Sequence, residues 1–372
     1  MTASAEYLAD LAAGLEARAA AGLLRTLQAP AGLDVTSNDY LGYADDPEIA
    51  GETADFVRAH GAGAGAARLL RGHADLHARA EQALAQFCDR EAALLFSSGW
   101  SANTGLWPAL TTANDVVFSH RANHASTIDG LRLSRAKRLI FQDFAELQQQ
   151  LQQPRAGRAF LAVESVQSMS GQLTDLQQLA DLAEEHRALL VVDEAHATGL
   201  YGAGRVQQLG LTNRVLCTLH TGGKALGVGG AWLAGPQALI QHLLNHARSF
   251  VYSTAVVPAI AGGLLTVLPR LHQDAQKIQQ LHQNARKLRQ KLLDAGLNLD
   301  GSASCIVPVL LGTPERALQV AAALQADGFD VRAVRPPTVP EGTSRLRLVV
   351  RAPLTEADLA RLGDRVIAHA RP

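Results

Sequence analysis

The chain has 372 residues, 47% of them hydrophobic, which is enough for two or three domains and for a core that encloses a buried active site. Lysine and arginine number 34 and aspartate and glutamate 35, so the formal charge is -1 and the composition favours no attraction to nucleic acid or to an anionic membrane. We therefore predict no nucleic-acid partner and no membrane partner. Three widely spaced cysteines form no CxxC pair, which indicates neither a disulfide framework nor a metal site, and we expect a cytoplasmic protein.

The N-terminal segment is predicted to be a helical arm covering residues 1–33. Apolar residues recur at helical spacing from 7 to 27, and the breaker cluster Pro30-Ala31-Gly32 ends the pattern. Glu6 and Asp10 fall where a signal peptide needs a cationic start and an unbroken apolar stretch. Export is therefore not expected.

The middle of the chain has the pattern of an α/β domain over residues 34–257. Short apolar runs alternate with helical stretches, and these runs are ALLFSS, DVVFS, AKRLIF, AFLAVES, ALLVVDEA, VLCTLHT and AWLAG. The alternation predicts a mostly parallel, seven-stranded sheet covered by helices. From Pro258 a long helical pattern leads to the strand-like runs CIVPVLL and SRLRLVV, which predict a smaller α+β domain over 258–372. The longest apolar run, at 255–268, is interrupted by proline and glycine and is too short to span a bilayer.

Polar groups follow several of these runs directly. ALLVV is followed by Asp193 and, three residues later, His196, and VLCTLHT is followed by two glycines and Lys224. Ligands of open α/β sheets bind at the carboxyl ends of the strands, so these groups are expected to share a site. AFLAVES leads in the same way to Ser165 and Ser168.

A phosphate site is predicted where the run ALLFSS turns into a helix. Ser98, Gly99 and Trp100 occupy that turn, and free backbone amides at a helix start bind anions. An amine, a carboxylate and phosphate donors are what a pyridine cofactor with an aldehyde and a phosphate needs. Each group alone is more often structural, and only the combination and its order favour the cofactor site.

Two other motifs occur only in part. Residues 193–196 spell DEAH, the acidic box of some helicases, but no GxxxxGK[ST] phosphate loop accompanies it. The glycine runs at 60–67 and 227–230 do not follow a strand of a βαβ unit with an acidic residue about 20 positions on, as a dinucleotide fingerprint requires. Both interpretations are set aside.

Across residues 15–362 the chain resembles the α-oxoamine synthases, which are pyridoxal-phosphate enzymes of fold type I. The matching stretches include TSNDYLGYA, ALLFSSGWSANTG, NHASTIDG, ESVQSMSGQLTDL, VVDEAHATGLYGAGR, TGGKALGVGG, FVYSTAVVP and RPPTVPEGTSRLRL, in the order of the family. The resemblance implies an aspartate aminotransferase-like fold, with a large sheet domain and a smaller C-terminal domain. It also implies a homodimer and pyridoxal 5'-phosphate as the cofactor.

The resemblance assigns roles to the residues of the predicted site. Lys224 is expected to hold the cofactor as a Schiff base and to move the substrate's Cα proton, and Asp193 to pair with the ring nitrogen. His124 is expected to stack on the ring. The implied cofactor-binding set is Ser98, Gly99, Trp100, His124, Ser168, Asp193, His196, Thr221, Lys224, Ser253 and Thr254, with His196 and Ser168 on the phenolic oxygen and the last two serving a partner subunit.

Substrate contacts are implied at three further positions. Arg345 matches the residue that binds the amino-acid carboxylate, with Asn38 assisting, and Arg25 of the arm matches a position associated with the acyl substrate. The resemblance is to members in biotin biosynthesis, which join L-alanine to pimeloyl-CoA or to the pimeloyl carrier protein. The alternatives are a glycine C-acetyltransferase-like or serine palmitoyltransferase-like activity, or a non-catalytic partner subunit, which is expected to lack Lys224 or Asp193.

Overall fold

The computed structural model describes residues 2–371. The strands over this range are β1 (Leu33–Asp34), β2 (Ala92–Phe96), β3 (Val116–His120), β4 (Lys137–Phe141), β5 (Ala159–Glu164), β6 (Ala188–Asp193), β7 (Cys217–Thr221), β8 (Ala231–Gly235), β9 (Ile306–Gly312), β10 (Phe329–Asp330), β11 (Ala333–Val334) and β12 (Ser344–Val349). The helices are α1 (Ala3–Ala20), α2 (Pro47–His60), α3 (Asp75–Phe87), α4 (Gly99–Leu110), α5 (Ala125–Leu133), α6 (Phe144–Leu151), α7 (Leu176–Glu185), α8 (Arg205–Gln208), α9 (Gln237–His246), α10 (Arg248–Val251), α11 (Pro258–Gln273), α12 (Ala275–Asp294), α13 (Pro314–Ala326) and α14 (Glu356–Ala370). Among the described residues, none of these helices combines the length and the apolar character needed to cross a membrane.

The seven apolar runs of the middle segment form one seven-stranded sheet, in the order β2-β8-β7-β6-β5-β3-β4. The strand β8 is antiparallel to both of its neighbours, and the other neighbouring pairs are parallel. Side chains of β5 alternate between two apolar clusters: Phe160 joins the cluster of α4 and α9, and Leu161 joins that of α6 and α7. The mostly parallel sheet predicted from the sequence is confirmed, and both of its faces are covered.

The register of the central strands places the predicted site residues at one edge. On the parallel pair β5 and β6, Glu164 lies opposite Asp193, and on β6 and β7 Asp193 lies opposite Leu219. Lys224 follows three residues after the end of β7. The carboxyl ends of three neighbouring strands therefore bring these groups within reach of one another.

The C-terminal segment contains a second, antiparallel sheet in the order β11-β12-β9. The strands CIVPVLL and SRLRLVV of the sequence are its β9 and β12. The short strand β1 pairs in parallel with β10, which ties the chain after the arm to this segment. Because α11 packs on α2 and α3 of the preceding segment, the boundary placed before Pro258 stays a prediction.

The arm helix is shorter than the apolar periodicity suggests. The helix α1 ends at Ala20, where Gly22 adopts a left-handed φ of 64° and the amides of Leu23 and Leu24 bond back to Arg18. The expectation of helical structure as far as residue 27 was wrong, because a left-handed glycine ends a helix whatever apolar residues follow. No residue of α1 is buried.

A glycine of α11 allows close packing against α2. A Cβ atom at Gly262 falls 2.3 Å from Cγ of Phe56, so an alanine here has to displace the aromatic ring. We predict that Gly262→Ala lowers the free energy of unfolding by about 1–3 kcal/mol. As a control, a Cβ atom at Gly51 of α2 meets no atom within 4 Å, and Gly51→Ala should raise the free energy of unfolding by about 0.5–1 kcal/mol. Urea unfolding of both variants is the measurement, and equal midpoints contradict this account of the packing.

Candidate active site

A cavity of about 380 Å³ lies at the carboxyl ends of the central strands. Eight residues predicted from the sequence line it: Ser98, Gly99, Trp100, His124, Asp193, His196, Thr221 and Lys224. Asn103, Ser126 and Glu164 also line it, and the sequence analysis had not singled them out. The structure thus gathers the amine, the carboxylate and the helix start around one volume, as the strand-end argument requires.

Lys224 and His196 contact each other at the inner end of the cavity. The Nζ atom of Lys224 lies 3.0 Å from Nε2 of His196, whose Nδ1 lies 2.6 Å from the hydroxyl of Tyr40. Burial, followed by the charges of Lys224 and Arg347, holds the pKa of His196 well below its usual value. Burial likewise lowers the pKa of Lys224 to about 8, against the opposing charges of Asp193 and Glu164. A neutral imidazole therefore accepts a hydrogen bond from an amine that titrates near physiological pH.

Asp193 is held in place by two N–H donors. Its Oδ1 accepts from the backbone N–H of Ala195 at 3.0 Å, and its Oδ2 accepts from Nδ2 of Asn103 at 3.3 Å. The same amide of Asn103 donates to Oγ of Ser126 at 3.0 Å, which links α4 to α5. These two contacts fix the orientation of the carboxyl group at the edge of the cavity, where its remaining lone pairs can accept from a cationic ligand.

The start of α4 has the properties of an anion site. Ser98 caps the helix through its Oγ, which accepts from the N–H of Ser101 at 3.1 Å. The amides of Gly99 and Trp100, in the first turn, have no carbonyl within the helix to bond. Across from them the buried Oγ1 of Thr221 has no partner among the described residues. A buried hydroxyl without a partner costs about 1–3 kcal/mol, and a phosphate oxygen at this place would satisfy it together with the helix amides.

His124 forms a flat wall of the cavity. It caps α5, with Nδ1 accepting from the N–H of Ser126 at 3.2 Å and from the Oγ of the same serine at 2.7 Å. The indole of Trp100 meets its ring edge-on, at 6.3 Å between centroids. Burial, followed by the charge of Lys224, lowers the pKa of His124. The ring is therefore a fixed, neutral surface suited to stacking.

Six predicted residues do not line the cavity, namely Arg25, Asn38, Ser168, Ser253, Thr254 and Arg345. Asn38 reaches the cavity through one intervening residue, and Arg25 lies on the arm. Asn38 accepts a hydrogen bond from the hydroxyl of Tyr40 at 3.3 Å, and that hydroxyl contacts His196. Arg25 donates to Oγ1 of Thr338 at 2.8 Å, which fastens the arm to the loop before β12.

The three hydroxyl residues of this group have local partners instead. The backbone N–H of Ser168 donates to Oε2 of Glu164 at 2.8 Å. Ser253 bonds to the carbonyl of Thr254, and both residues line a separate small hollow beside Ser97. Within one chain, therefore, Ser253 and Thr254 do not reach the cavity.

The arginine that the resemblance assigns to the substrate carboxylate has partners within the protein. Arg345 forms an ion pair with Asp300 and bonds to the carbonyl of Thr343, so its guanidinium is already occupied. Arg347 lies two residues further along β12, is 7% exposed and donates from Nε to the carbonyl of Ser168 at 2.7 Å. Its Nη2 is buried without a partner in the described part of the chain. Arg347 therefore carries an unpaired donor, and its charge acts on His196 and Lys224 of the cavity, whereas the role expected of Arg345 stays a prediction.

Comparisons with known proteins agree with this fold. The family model of aminotransferase class I and II matches residues 30–366. The 8-amino-7-oxononanoate synthase of Anaeromyxobacter dehalogenans is 42% identical over 361 residues, which cover 92% of this chain and 90% of that protein.

Two solved structures superpose on the chain over most of its length. One is an 8-amino-7-oxononanoate synthase from Francisella tularensis, with a TM-score of 0.79 and 26% identity, and the match covers 91% of this chain and 97% of that one. The other is a serine palmitoyltransferase from S. paucimobilis with a bound PLP-myriocin aldimine, with a TM-score of 0.89 and 25% identity, and the match covers 97% of this chain and 96% of that one. The family and fold expected from the sequence are confirmed. The chain belongs to the aminotransferase class I and II family.

Proposed function

We propose that this chain is a pyridoxal-phosphate-dependent acyltransferase that makes 8-amino-7-oxononanoate in biotin biosynthesis. It joins L-alanine to pimeloyl-CoA or to the pimeloyl carrier protein and releases the thiol and carbon dioxide. The observation that carries the cofactor assignment is that Lys224 and Asp193 face one cavity, together with the unpaired hydroxyl of Thr221. The substrate assignment rests on relatives about 40% identical that bear the name 8-amino-7-oxononanoate synthase.

The residues present fit this cofactor. Lys224 supplies an amine for its aldehyde, Asp193 a carboxylate for its ring nitrogen, and Thr221 with the first amides of α4 the phosphate donors. His124 would provide a flat face on which the ring can stack. When bound, the cofactor supplies an electron-accepting ring that stabilises negative charge on the amino-acid Cα.

Lys224, positioned by His196, is the group proposed to take and return the proton at the substrate's Cα. A lysine with a pKa lowered to about 8 is neutral in a sizeable fraction of molecules at physiological pH, so it can take a proton and later return it. His196 stays neutral because its pKa is held well below the usual value, and it keeps Nζ of Lys224 in position through the 3.0 Å contact. Asp193 would pair with the ring nitrogen of the cofactor, where positive charge favours carbanion stabilisation.

Arg347 is the residue that we propose for the substrate carboxylate. Its unpaired Nη2 is a charged donor that desolvation makes unfavourable unless an anion meets it. Arg25, fastened to Thr338, lies on the arm at the position proposed for the acyl substrate. We further propose a cytoplasmic homodimer in which Ser253 and Thr254 of one protomer approach the phosphate site of its partner, and the three free, buried cysteines fit a reducing compartment.

A related acyltransferase activity is the second candidate. The serine palmitoyltransferase structures superpose with TM-scores as high as 0.89, so the fold and the cofactor site do not separate the two activities. The third possibility, a non-catalytic partner subunit, disagrees with the presence of Lys224 and Asp193 in one cavity.

The Lys224 assignment predicts where a reduced cofactor becomes attached. We expect borohydride to fix pyridoxyl phosphate to the peptide that contains Lys224, because only a lysine whose amine carries the aldehyde is trapped. Lys224→Ala should abolish the yellow colour and the turnover. Lys137→Ala, at the exposed start of β4, is the control and should retain both. Peptide mass spectrometry and absorbance are the measurements, and an adduct on another lysine contradicts the assignment.

The two arginines of β12 give opposite predictions. Arg347→Lys should raise the KM for L-alanine by about 10- to 100-fold, because a lysine cannot replace the guanidinium's paired donors and a charged hydrogen bond is worth about 1.5–3 kcal/mol. Arg345→Lys, which preserves the positive charge facing Asp300, should change this KM by less than about threefold. Steady-state kinetics at saturating thioester is the measurement. The reverse ranking would identify Arg345 as the carboxylate residue and would contradict the proposal for Arg347.

Thiol release with alternative substrates tests the reaction itself. L-alanine, glycine and L-serine are offered with pimeloyl-, acetyl-, succinyl- and palmitoyl-CoA, and we expect the highest kcat/KM for alanine with the pimeloyl thioester. A preference for glycine with a short acyl group, or for serine with a long one, overturns the substrate assignment and leaves the cofactor assignment standing. Absence of thiol release with every pair supports the non-catalytic alternative.

A further inference from the structure

Glu164 is a buried carboxyl group that the mechanism above leaves unused. It is 5% exposed, ends the strand β5 and lines the cavity. Its Oε2 accepts from the N–H of Ser168 at 2.8 Å. Its Oε1 is buried and has no partner within residues 2–371. Since a buried polar atom without a partner is costly, this oxygen is built to meet something that enters the cavity.

Glu164 competes for charge with the carboxylate beside it. Glu164 and Asp193 occupy paired positions on parallel strands, so their side chains leave the same face of the sheet. Asp193 receives two N–H donors from Ala195 and Asn103, whereas Glu164 receives one. A charge on the buried Glu164 is therefore opposed by its burial and by the neighbouring carboxyl group, and one donor stabilises it. These conditions favour a proton on Glu164.

The remaining charged and titratable groups around Glu164 agree with this distribution. Burial, and then the charge of Asp193, raise the pKa of Glu164 to about 7 even though the Lys224 ammonium acts in the opposite direction. His124 and His196 both have lowered pKa values and are neutral at pH 7. Arg347, on the other side, is engaged through Nε with the carbonyl of Ser168.

We propose that Glu164 acts as a neutral carboxylic acid whose Oε1 donates a hydrogen bond to the ligand held between Asp193 and Lys224. This inference rests on the proposed cofactor and deepens the description of its site. As a neutral donor, Glu164 adds no second negative charge beside the carboxyl group of Asp193, which would pair with the ring nitrogen. An ionised Glu164 would place a second anion in the same cavity and would have no proton to donate.

Infrared spectroscopy tests the protonation state directly, without turnover. At pH 6 we expect the cofactor-free and cofactor-loaded wild-type proteins to show a C=O stretch of a protonated carboxyl group that Glu164→Gln lacks. The buried Glu194 is present in both proteins, so the difference spectrum isolates Glu164. A difference spectrum without a protonated carboxyl band at pH 6 overturns the proposal.

The pH dependence of cofactor affinity separates donation from a merely structural role. Glutamine is neutral, keeps an N–H donor and can still accept from Ser168, so Glu164→Gln should bind the cofactor within about threefold of wild type at pH 6. As pH rises through about 7, Glu164 ionises in the wild-type protein. The dissociation constant of the wild-type protein for the cofactor should therefore rise by about tenfold relative to that of the variant at pH 9. A tenfold change corresponds to a pKa of Glu164 that differs by about one unit between the free and the loaded protein. Because the charge of Glu164 also raises the pKa of Lys224, the titration of Lys224 is measured in both proteins and its contribution is removed from the ratio.

The outcomes distinguish this inference from the proposed function. Parallel affinity profiles for the two proteins mean that Glu164 only holds the backbone of Ser168, which overturns the inference while the cofactor assignment stands. A loss of affinity in Glu164→Gln greater than about tenfold at pH 6 means that the anion is required, and it also overturns the inference. If wild-type protein binds no pyridoxal phosphate at Lys224, the proposed function itself is wrong.

Discussion

The site depends on one electrostatic constraint, which is the burial of an amine next to two carboxyl groups at the ends of neighbouring strands. Lys224 lies in a cavity with Asp193 and Glu164, and the burial that lowers the pKa of the amine raises that of the glutamate. The sheet imposes this closeness, since parallel strands end together and β5, β6 and β7 are adjacent. An amine close to neutrality is what nucleophilic chemistry at an aldehyde requires. The fold therefore sets the reactivity of Lys224 through the register of three strands.

The position of Lys224 also depends on a tight connection between β7 and β8. A Cβ atom at Gly222 falls 2.2 Å from the carbonyl oxygen of Gly229, so the two sides of the connection approach as closely as glycine allows. The amide of Gly222 bonds to the carbonyl of Gly230, and the amide of Val228 bonds back to Gly222. A substitution at Gly222 would therefore change the position of the amine as well as the packing. The glycines of this loop allow its two sides to approach closely, which explains the TGGKALGVGG pattern without a dinucleotide-binding site.

The sequence was sufficient for the sheet and for the cavity walls formed by strand ends, because periodicity and position on a strand are local properties. The sequence could not distinguish the surroundings of Arg345 and Arg347, because the two residues lie two positions apart on the same face of β12 and differ only in their distant partners. Arg345 forms an ion pair with Asp300, and Arg347 donates to the carbonyl of Ser168, which follows β5. Tyr40 and Asn103 were missed for the same reason, since each reaches the site from a separate element. Glu164 was inside a quoted motif, yet its free oxygen is visible only in three dimensions.

Two buried glutamates near the same edge of the sheet, Glu194 and Glu164, have different roles, one structural and one proposed for ligand binding. Glu194 is fully buried, and its carboxylate accepts from Ser165 and from the amides of Arg205 and Val206. A Cβ atom at Gly204 falls 2.5 Å from its Cδ, so the chain closes tightly around it. Every oxygen of Glu194 is thus satisfied by the protein, which makes it a fixed link between β6 and α8. One carboxyl oxygen of Glu164 is held in the same way by the amide of Ser168, whereas the other is buried without a partner among the described residues. Because the first contact fixes the side chain, the second oxygen would meet a ligand as an oriented group at little entropic cost.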